Sequence, residues 1–291
     1  MHLTTRLFAS YCLIFVHFIS FADCFSGILE KPRYQSENQQ IPKKSKTEKR
    51  NDFSAYPHLT DEMKKRMGPY LIDSSHPMKK KLDAIFLHSR VTRNEKAFLD
   101  AGFRVLEEGR RSFIVVAKHK QLSGHLVKCF LDTEMREKWS KPSWYWLAKR
   151  CEGAKKIRKI IVERKIKHFR VPQKYIYLLP LLDTKKPFKE RYTRHPALLL
   201  VTDMDLVSEK QNLYAWKNRV NKEVLDELYT IITLAKGSSY RADNIAYSRS
   251  GKFCFIDCEY PSSEPDYKRI RPYLNSKMRK YWDLLVEKGA K

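Results

Sequence analysis

The hydrophobic period of the sequence changes along the chain, and this change constrains the fold more than any other feature. Three short β-branched or aromatic runs, at 103–106, 112–117 and 125–131, are separated by turn residues and predict consecutive antiparallel strands. Ser123 and Gly124 are typical of a hairpin turn between the last two runs. Apolar residues then recur at helical spacing over about 144–165, which predicts a long helix.

The elements predicted on either side extend this pattern. Upstream, three short helices are predicted between residues 59 and 100: one from the cap Thr60 to Gly68, one after Pro77 and one from Thr92. Downstream, the predicted elements are strands at 175–179 and 197–202, a helix from Val224 that stops at Gly237, strands at 245–247 and 253–256, and a helix around 278–285. The sequence therefore predicts an α+β fold, with a five-stranded sheet that contains one inserted helix and precedes a mainly helical part.

The N-terminal segment has the order of a secretory signal. Basic Arg6 precedes an apolar run over 7–21 and the small residue Ala22. We expect a signal peptide over 1–25 and export to a periplasmic, lumenal or extracellular compartment. The alternative is an uncleaved N-terminal anchor, although the shortness of the run disfavours a stable span. Residues 26–55 are polar and basic, and they predict a flexible linker.

The charge of the chain indicates an anionic partner. The formal charge of +25 arises from 58 Lys and Arg against 33 Asp and Glu, and such a surface attracts nucleic acid, anionic lipid and phosphorylated or acidic substrates. The basic stretch at 155–167 is either a solvated helix face or a docking surface for phosphate or an anionic membrane. The cysteines have no CxxC pair and no zinc spacing, so they are core residues or, after export, disulfide partners.

Two segments in the strand region resemble parts of protein kinases. The run around Gly109 resembles the phosphate-covering hairpin of that family, and Leu126-Val127-Lys128-Cys129-Phe130 resembles its Val-Ala-Ile-Lys strand. The resemblance implies that Lys128 contacts nucleotide phosphates and pairs with a helix glutamate, for which Glu152 is the candidate and Glu163 the fallback. A plain hairpin turn at Gly109 and a solvent-facing Lys128 on an edge strand are the alternatives.

The second half of the chain extends the resemblance. The strand before Asp203 and Asp205 resembles the hinge that contacts adenine through backbone groups. Asn244 ends a loop, and Asp257 follows an apolar strand thirteen positions later, as in the metal-binding pair of kinases. Both offer the hard oxygen ligands that Mg²⁺ prefers. The alternative is turn chemistry, because Asn and Asp favour turns.

The chain also departs from the family's pattern. Ser239 stands where the catalytic aspartate is expected, and Arg241 stands where a lysine is expected. Asp257-Cys258-Glu259 replaces Asp-Phe-Gly, so the glycine hinge is missing. Glu259 or Asp243 is a possible surrogate base.

The resemblance as a whole implies a protein-kinase-like bilobal fold, with an antiparallel N-lobe sheet, one helix and a mainly helical C-lobe. It divides the chain into a helical extension over 56–102, an N-lobe and hinge over 103–205 and a C-lobe over 206–291. It implies a protein that binds ATP and Mg²⁺ and has Lys128 and Asp257 as its catalytic candidates; with the signal segment, we expect this protein to be exported and monomeric. An atypical phosphotransferase with an unknown hydroxyl acceptor, an inactive pseudokinase, and a basic envelope-, lipid- or nucleic-acid-binding protein remain as alternatives.

Overall fold

The structure of the protein, a computed structural model, describes residues 53–106, 114–133, 141–182 and 193–289. The predicted signal peptide, nearly all of the predicted linker and the turn at Gly109 lie outside these residues. Within the described ranges, every helix is too short or too polar to span a bilayer.

Three short helices precede the sheet, as predicted. They are α1 (Asp61–Met67), α2 (Pro77–Phe86) and α3 (Glu95–Asp100). Thr60 caps α1 and Gly68 ends it, as the sequence indicated. The third helix begins later than predicted because Asn94 is its cap: the Asn94 side chain accepts a hydrogen bond of 2.9 Å from the Ala97 backbone N–H, whereas Thr92 lies in a short 3₁₀ turn.

Five antiparallel strands form the main sheet, and one long helix is inserted among them. The strands are β1 (Phe103–Val105), β2 (Val115–His119), β3 (His125–Cys129), β5 (Lys174–Leu178) and β6 (Ala197–Thr202), in the order β1-β2-β3-β6-β5. The helix α4 (Ser143–Glu163) and the two-residue strand β4 (Phe169–Arg170) lie between β3 and β5 in the chain. The predicted α+β class and five-stranded sheet are therefore confirmed.

Both faces of this sheet are covered by helices. Leu82 of α2 and Phe98 of α3 belong to the hydrophobic core on one face. Met67 of α1 and Leu147 of α4 belong to the core on the other face, together with Leu199 of β6. The helices upstream of the sheet therefore share their cores with it.

The last third of the described chain is mainly helical. It contains α5 (Glu209–Asn218), α6 (Lys222–Ala235), β7 (Ile245–Tyr247), β8 (Phe253–Phe255) and α7 (Ser276–Lys288). A second sheet has the order β4-β8-β7. The sequence did not predict α5, because Leu213 and Tyr214 on this helix are exposed and blur its apolar period. Its buried residue Trp216 packs in one core with Leu228 and Trp282.

The four cysteines among the described residues are buried and form no disulfide. Burial raises the pKa of the Cys151 thiol to about 12, which keeps it protonated and unreactive at neutral pH. The sequence left two roles open for these cysteines, core residues or disulfide partners, and in the structure they are core residues.

Candidate functional site

A cavity of about 630 Å³ opens on the face of the main sheet that also carries α4. Val116 and Lys128 are cross-strand partners on β2 and β3, so their side chains lie on the same face and both line the cavity. Polar and charged residues from several elements also line it, among them Lys128, Arg150, Ser239, Asn244, Asp257 and Glu259.

Lys128 lies on a central strand, because β3 pairs with β2 on one side and with β6 on the other. The alternative of an edge strand is therefore wrong. The Lys128 ammonium donates a long hydrogen bond of 3.5 Å to the backbone carbonyl of Ile256. Burial, and after it the neighbouring ammonium of Lys174, lowers the pKa of Lys128 to about 8. Lys174 donates to the same carbonyl at 3.2 Å.

The predicted partner Glu152 is not at this site. Its carboxylate pairs with Lys149 on the same helix at 2.8 Å and is partly exposed. The fallback Glu163 pairs with Lys159 on the exposed end of α4. The expected pairing of Lys128 with a glutamate of α4 is therefore wrong, because Glu152 lies off the stripe of α4 that faces the sheet.

An arginine on that stripe enters the site instead. Arg150 lies three residues after the buried Leu147, which is one helical turn, and only 4% of it is exposed. Its Nε lies 3.3 Å from Asp257 Oδ1, and its Nη2 lies 3.1 Å from Glu259 Oε1. Burial lowers the pKa of Arg150, the two carboxylates raise it, and the carboxylates prevail.

Gly153 allows α4 to approach the segment that carries these carboxylates. A Cβ on Gly153 would lie 2.7 Å from Cys258 Cβ and still closer to the Cys258 carbonyl oxygen. Any larger residue would therefore force the helix and the segment apart. This close approach holds Arg150, one turn earlier on α4, against Asp257 and Glu259.

Asn244 and Asp257 lie next to each other, as predicted. The backbone carbonyl of Asn244 accepts hydrogen bonds from the backbone N–H groups of Ile256 at 2.9 Å and of Asp257 at 3.5 Å. The Asn244 side-chain amide donates to the carbonyl of Ser239 at 2.5 Å, which fixes its orientation at the cavity wall. The β7–β8 hairpin therefore joins two residues that are thirteen positions apart in the sequence.

The residues around the expected catalytic position are also placed at the cavity. Ser239 is 6% exposed, and its hydroxyl has no hydrogen-bond partner among the described residues. Arg241 and Asp243 form an ion pair at the rim. Both candidate surrogate bases are thus engaged by a guanidinium, Asp243 by Arg241 and Glu259 by Arg150.

The predicted hinge carboxylates do not line the cavity. Asp203 pairs with Lys118 at 2.7 Å, and Asp205 pairs with Arg249 at 3.2 Å. The next two residues of this connector, Leu206 and Val207, line it instead. The connector is therefore part of the site, but its acidic side chains are not. Gly109 lies outside the described residues.

The oxygen ligands at this site have the chemistry that Mg²⁺ prefers, but the two carboxylates among them already pair with a cation of the protein. Asn244, Asp257 and Glu259 supply hard oxygens, and one amide orientation leaves the Asn244 Oδ1 as an acceptor. However, the Arg150 guanidinium already pairs with both carboxylates. With Arg150 in this position, the site fits a divalent cation poorly.

Two charged residues at or beside the candidate site, Arg150 and Lys174, were missed by sequence reasoning although a pattern indicated them. Arg150 falls on the apolar stripe of α4, and Lys174 is in phase with the buried Ile176 and Leu178 on β5. A charge on an apolar face needs a partner, because an unpaired buried charge is costly. Following the period of each element through its charged residues would have found both.

The comparisons with known proteins give no assignment. No protein-family model matches this sequence, and no curated protein resembles it significantly.

Proposed function

We propose that the protein is an exported, kinase-like nucleotide-binding protein and that the cavity beside α4 is its nucleotide site. One observation carries the proposal: Lys128 is far in the chain from the hairpin that holds Asn244 and Asp257, and yet all three residues line the same cavity. The resemblance assigns these three residues to a single nucleotide site from the sequence alone. Chance turn chemistry at Asn244 and Asp257 does not explain why the Lys128 strand faces them.

The order of elements supports a kinase-like fold as part of this proposal. Five antiparallel strands with one inserted helix precede a small hairpin and a helical part. The connector after β6 contributes Leu206 and Val207 to the cavity, where the resemblance implies contact with adenine. Lys128, Arg150 and the rim arginines Arg241 and Arg269 supply cations for the phosphates.

Phosphoryl transfer to a hydroxyl acceptor is the activity that such a site implies. This reaction depends mainly on positioning and electrostatics, so the loss of one base slows it without abolishing it. General acid–base help is typically worth about 10² to 10⁴ in rate. We therefore propose, at most, a slow phosphotransferase.

Nucleotide binding without transfer is the second candidate, and a specific observation favours it. The carboxylates of Asp243 and Glu259, the only surrogates that we proposed for the missing base, each pair with an arginine. A carboxylate held by a guanidinium is a weaker base, because its charged form is stabilised. On this observation, the cavity serves binding better than catalysis.

Thermal-shift titration with ATP tests the binding proposal. We expect ATP to raise the Tm of the wild-type protein, and we expect Lys128→Ala to weaken binding at least about tenfold, about 1.4 kcal/mol. Lys159→Gln is the matched control, because Lys159 is exposed on α4 and pairs only weakly with Glu163. No stabilisation, or equal stabilisation of all three proteins, would contradict the proposal. Transfer of γ-labelled phosphate to candidate acceptors then separates the two functions.

A further inference from the structure

The Arg150 guanidinium occupies the position at which a metal would meet the carboxylates of the cavity. It contacts Asp257 at 3.3 Å and Glu259 at 3.1 Å, and the arginine is buried. A guanidinium is always charged and binds two acceptors in a fixed plane. It therefore stays paired with both carboxylates and offsets one of their two negative charges, whereas a metal ion must be recruited from solution.

The charges around this pair leave an excess of positive charge. Lys128 and Lys174 both donate to the carbonyl of Ile256, and both lie in one buried cluster with Arg150 and Asp257. Glu259 joins this cluster through Arg150. Its described charged residues are three cations (Lys128, Lys174 and Arg150) and two carboxylates (Asp257 and Glu259), which leaves an excess of one positive charge. Burial is the main cause of the lowered pKa of Lys128, and the neighbouring ammonium of Lys174 lowers it further. An entering anion relieves the excess of positive charge, whereas a divalent cation increases it.

Two buried donor atoms beside the cavity have no hydrogen-bond partner within the described residues. Among the described residues, neither Nη1 of Arg150 nor Oγ of Ser239 has a hydrogen-bond partner. Both residues line the cavity and are more than nine-tenths buried. A buried donor without a partner is destabilising, so these two atoms indicate a bound group with several acceptor oxygens. A polyphosphate chain is such a group.

We propose that Arg150 replaces the divalent cation, so that the cavity binds a nucleoside polyphosphate in its metal-free form. The phosphate oxygens contact Arg150 Nη1, the Lys128 ammonium and the Ser239 hydroxyl. This inference rests on the proposed nucleotide site and deepens it. It predicts that a chelator leaves binding intact, although the donor set of Asn244 and Asp257 suggested a dependence on Mg²⁺.

Calorimetric titration of the full-length protein with ATP, in EDTA and separately in Mg²⁺, tests the inference. We expect the two Kd values for the wild-type protein to agree within about threefold. Arg150→Gln should lose at least about tenfold in affinity in EDTA, because a charge-assisted contact is removed. The same variant should gain a dependence on Mg²⁺, because Asp257 and Glu259 become available to the ion. Lys159→Gln on the same helix is the control and should behave as the wild type.

A wild-type Kd that weakens more than about tenfold in EDTA would overturn the inference. An Arg150→Gln variant that binds metal-free ATP as tightly as the wild type would overturn it as well. Should Arg150→Gln fail to fold, because it leaves two carboxylates without their partner, the double variant Arg150→Gln/Glu259→Gln removes one charge of each sign. If neither variant folds, the comparison of the wild-type Kd values for ATP in EDTA and in Mg²⁺ still tests the inference.

Tripolyphosphate as a second titrant separates this inference from the nucleotide proposal. Binding of tripolyphosphate in EDTA without binding of ATP would retain the metal-free phosphate site and remove the nucleotide function. Binding of ATP in Mg²⁺ alone would retain the nucleotide function and remove the role of Arg150. If neither ATP nor tripolyphosphate binds in EDTA or in Mg²⁺, both the nucleotide function and the role of Arg150 are contradicted.

Discussion

Replacing Gly153 by alanine tests how tightly α4 must approach the carboxylate segment. In an unhindered helix this change stabilises, because glycine is about 1 kcal/mol less favourable than alanine in a helix interior. At Gly153 the new methyl group would lie 2.7 Å from Cys258 Cβ and overlap the Cys258 carbonyl. Overpacking of this kind costs about 1–3 kcal/mol. Because the obstacle includes backbone, we take about 3 kcal/mol and expect a net loss of about 2 kcal/mol.

Thermal unfolding followed by circular dichroism measures this effect. A loss of about 2 kcal/mol lowers Tm by about 4–8 °C in a domain of this size. ATP affinity should fall as well, because Arg150 moves away from Asp257 with the helix. Gly124→Ala is the control: its Cβ meets no atom within 4 Å, but its φ of +74° disfavours alanine, so it should lose stability and keep its ATP affinity. A rise in Tm for Gly153→Ala would refute the argument.

Three further substitutions, and a fourth as a control, test charges inside and outside the cavity. Lys128→Met removes a charge that burial penalises, so at pH 7 it should raise the Tm of the unliganded protein by at least about 2 °C. This gain should shrink as the pH rises from the folded pKa of Lys128, about 8, to its ordinary value of 10.5. A gain in Tm that is constant over this range would contradict the lowered pKa of Lys128. Arg90→Met breaks a bond of 2.7 Å to the fully buried Asp132 and should cost about 3–5 kcal/mol in denaturant titration, whereas Lys96→Met on an exposed helix should cost less than about 1 kcal/mol. Glu152→Gln should leave the Kd for ATP unchanged within about twofold, and a tenfold loss would restore the pairing with Lys128 that the sequence suggested.

The sequence predicted the strands of the main sheet well, because their chemistry is local. The strand around Lys128 has β-branched or aromatic neighbours and a Ser123-Gly124 turn before it, and these features act over a few residues. Helix α5 escaped prediction for the opposite reason. Its buried residues Asn212, Ala215 and Trp216 do not form an apolar stripe by themselves, and only packing against distant residues such as Trp282 makes them a core.

The site was predicted in part, for a reason that lies in helix geometry. Asn244 and Asp257 belong to one hairpin, so their proximity follows from short-range connections. The partner of Lys128 depends on which face of α4 meets the sheet, and the choice of Glu152 ignored that face. Arg150, two residues earlier, lies on the correct side. The preference for a glutamate came from the resemblance, and the helical period of this chain contradicted it.

Photoaffinity labelling with 8-azido-ATP tests the central claim most directly, because it reports where the nucleotide lies. The protein is irradiated with the probe in EDTA, with and without excess ATP, and the labelled peptides are identified by mass spectrometry. We predict label in peptides that line the cavity, above all the connector with Leu206 and Val207, and protection by ATP. Label in the basic stretch at 155–167, or label that ATP does not displace, would mean that charge alone attracts the nucleotide and would contradict the account.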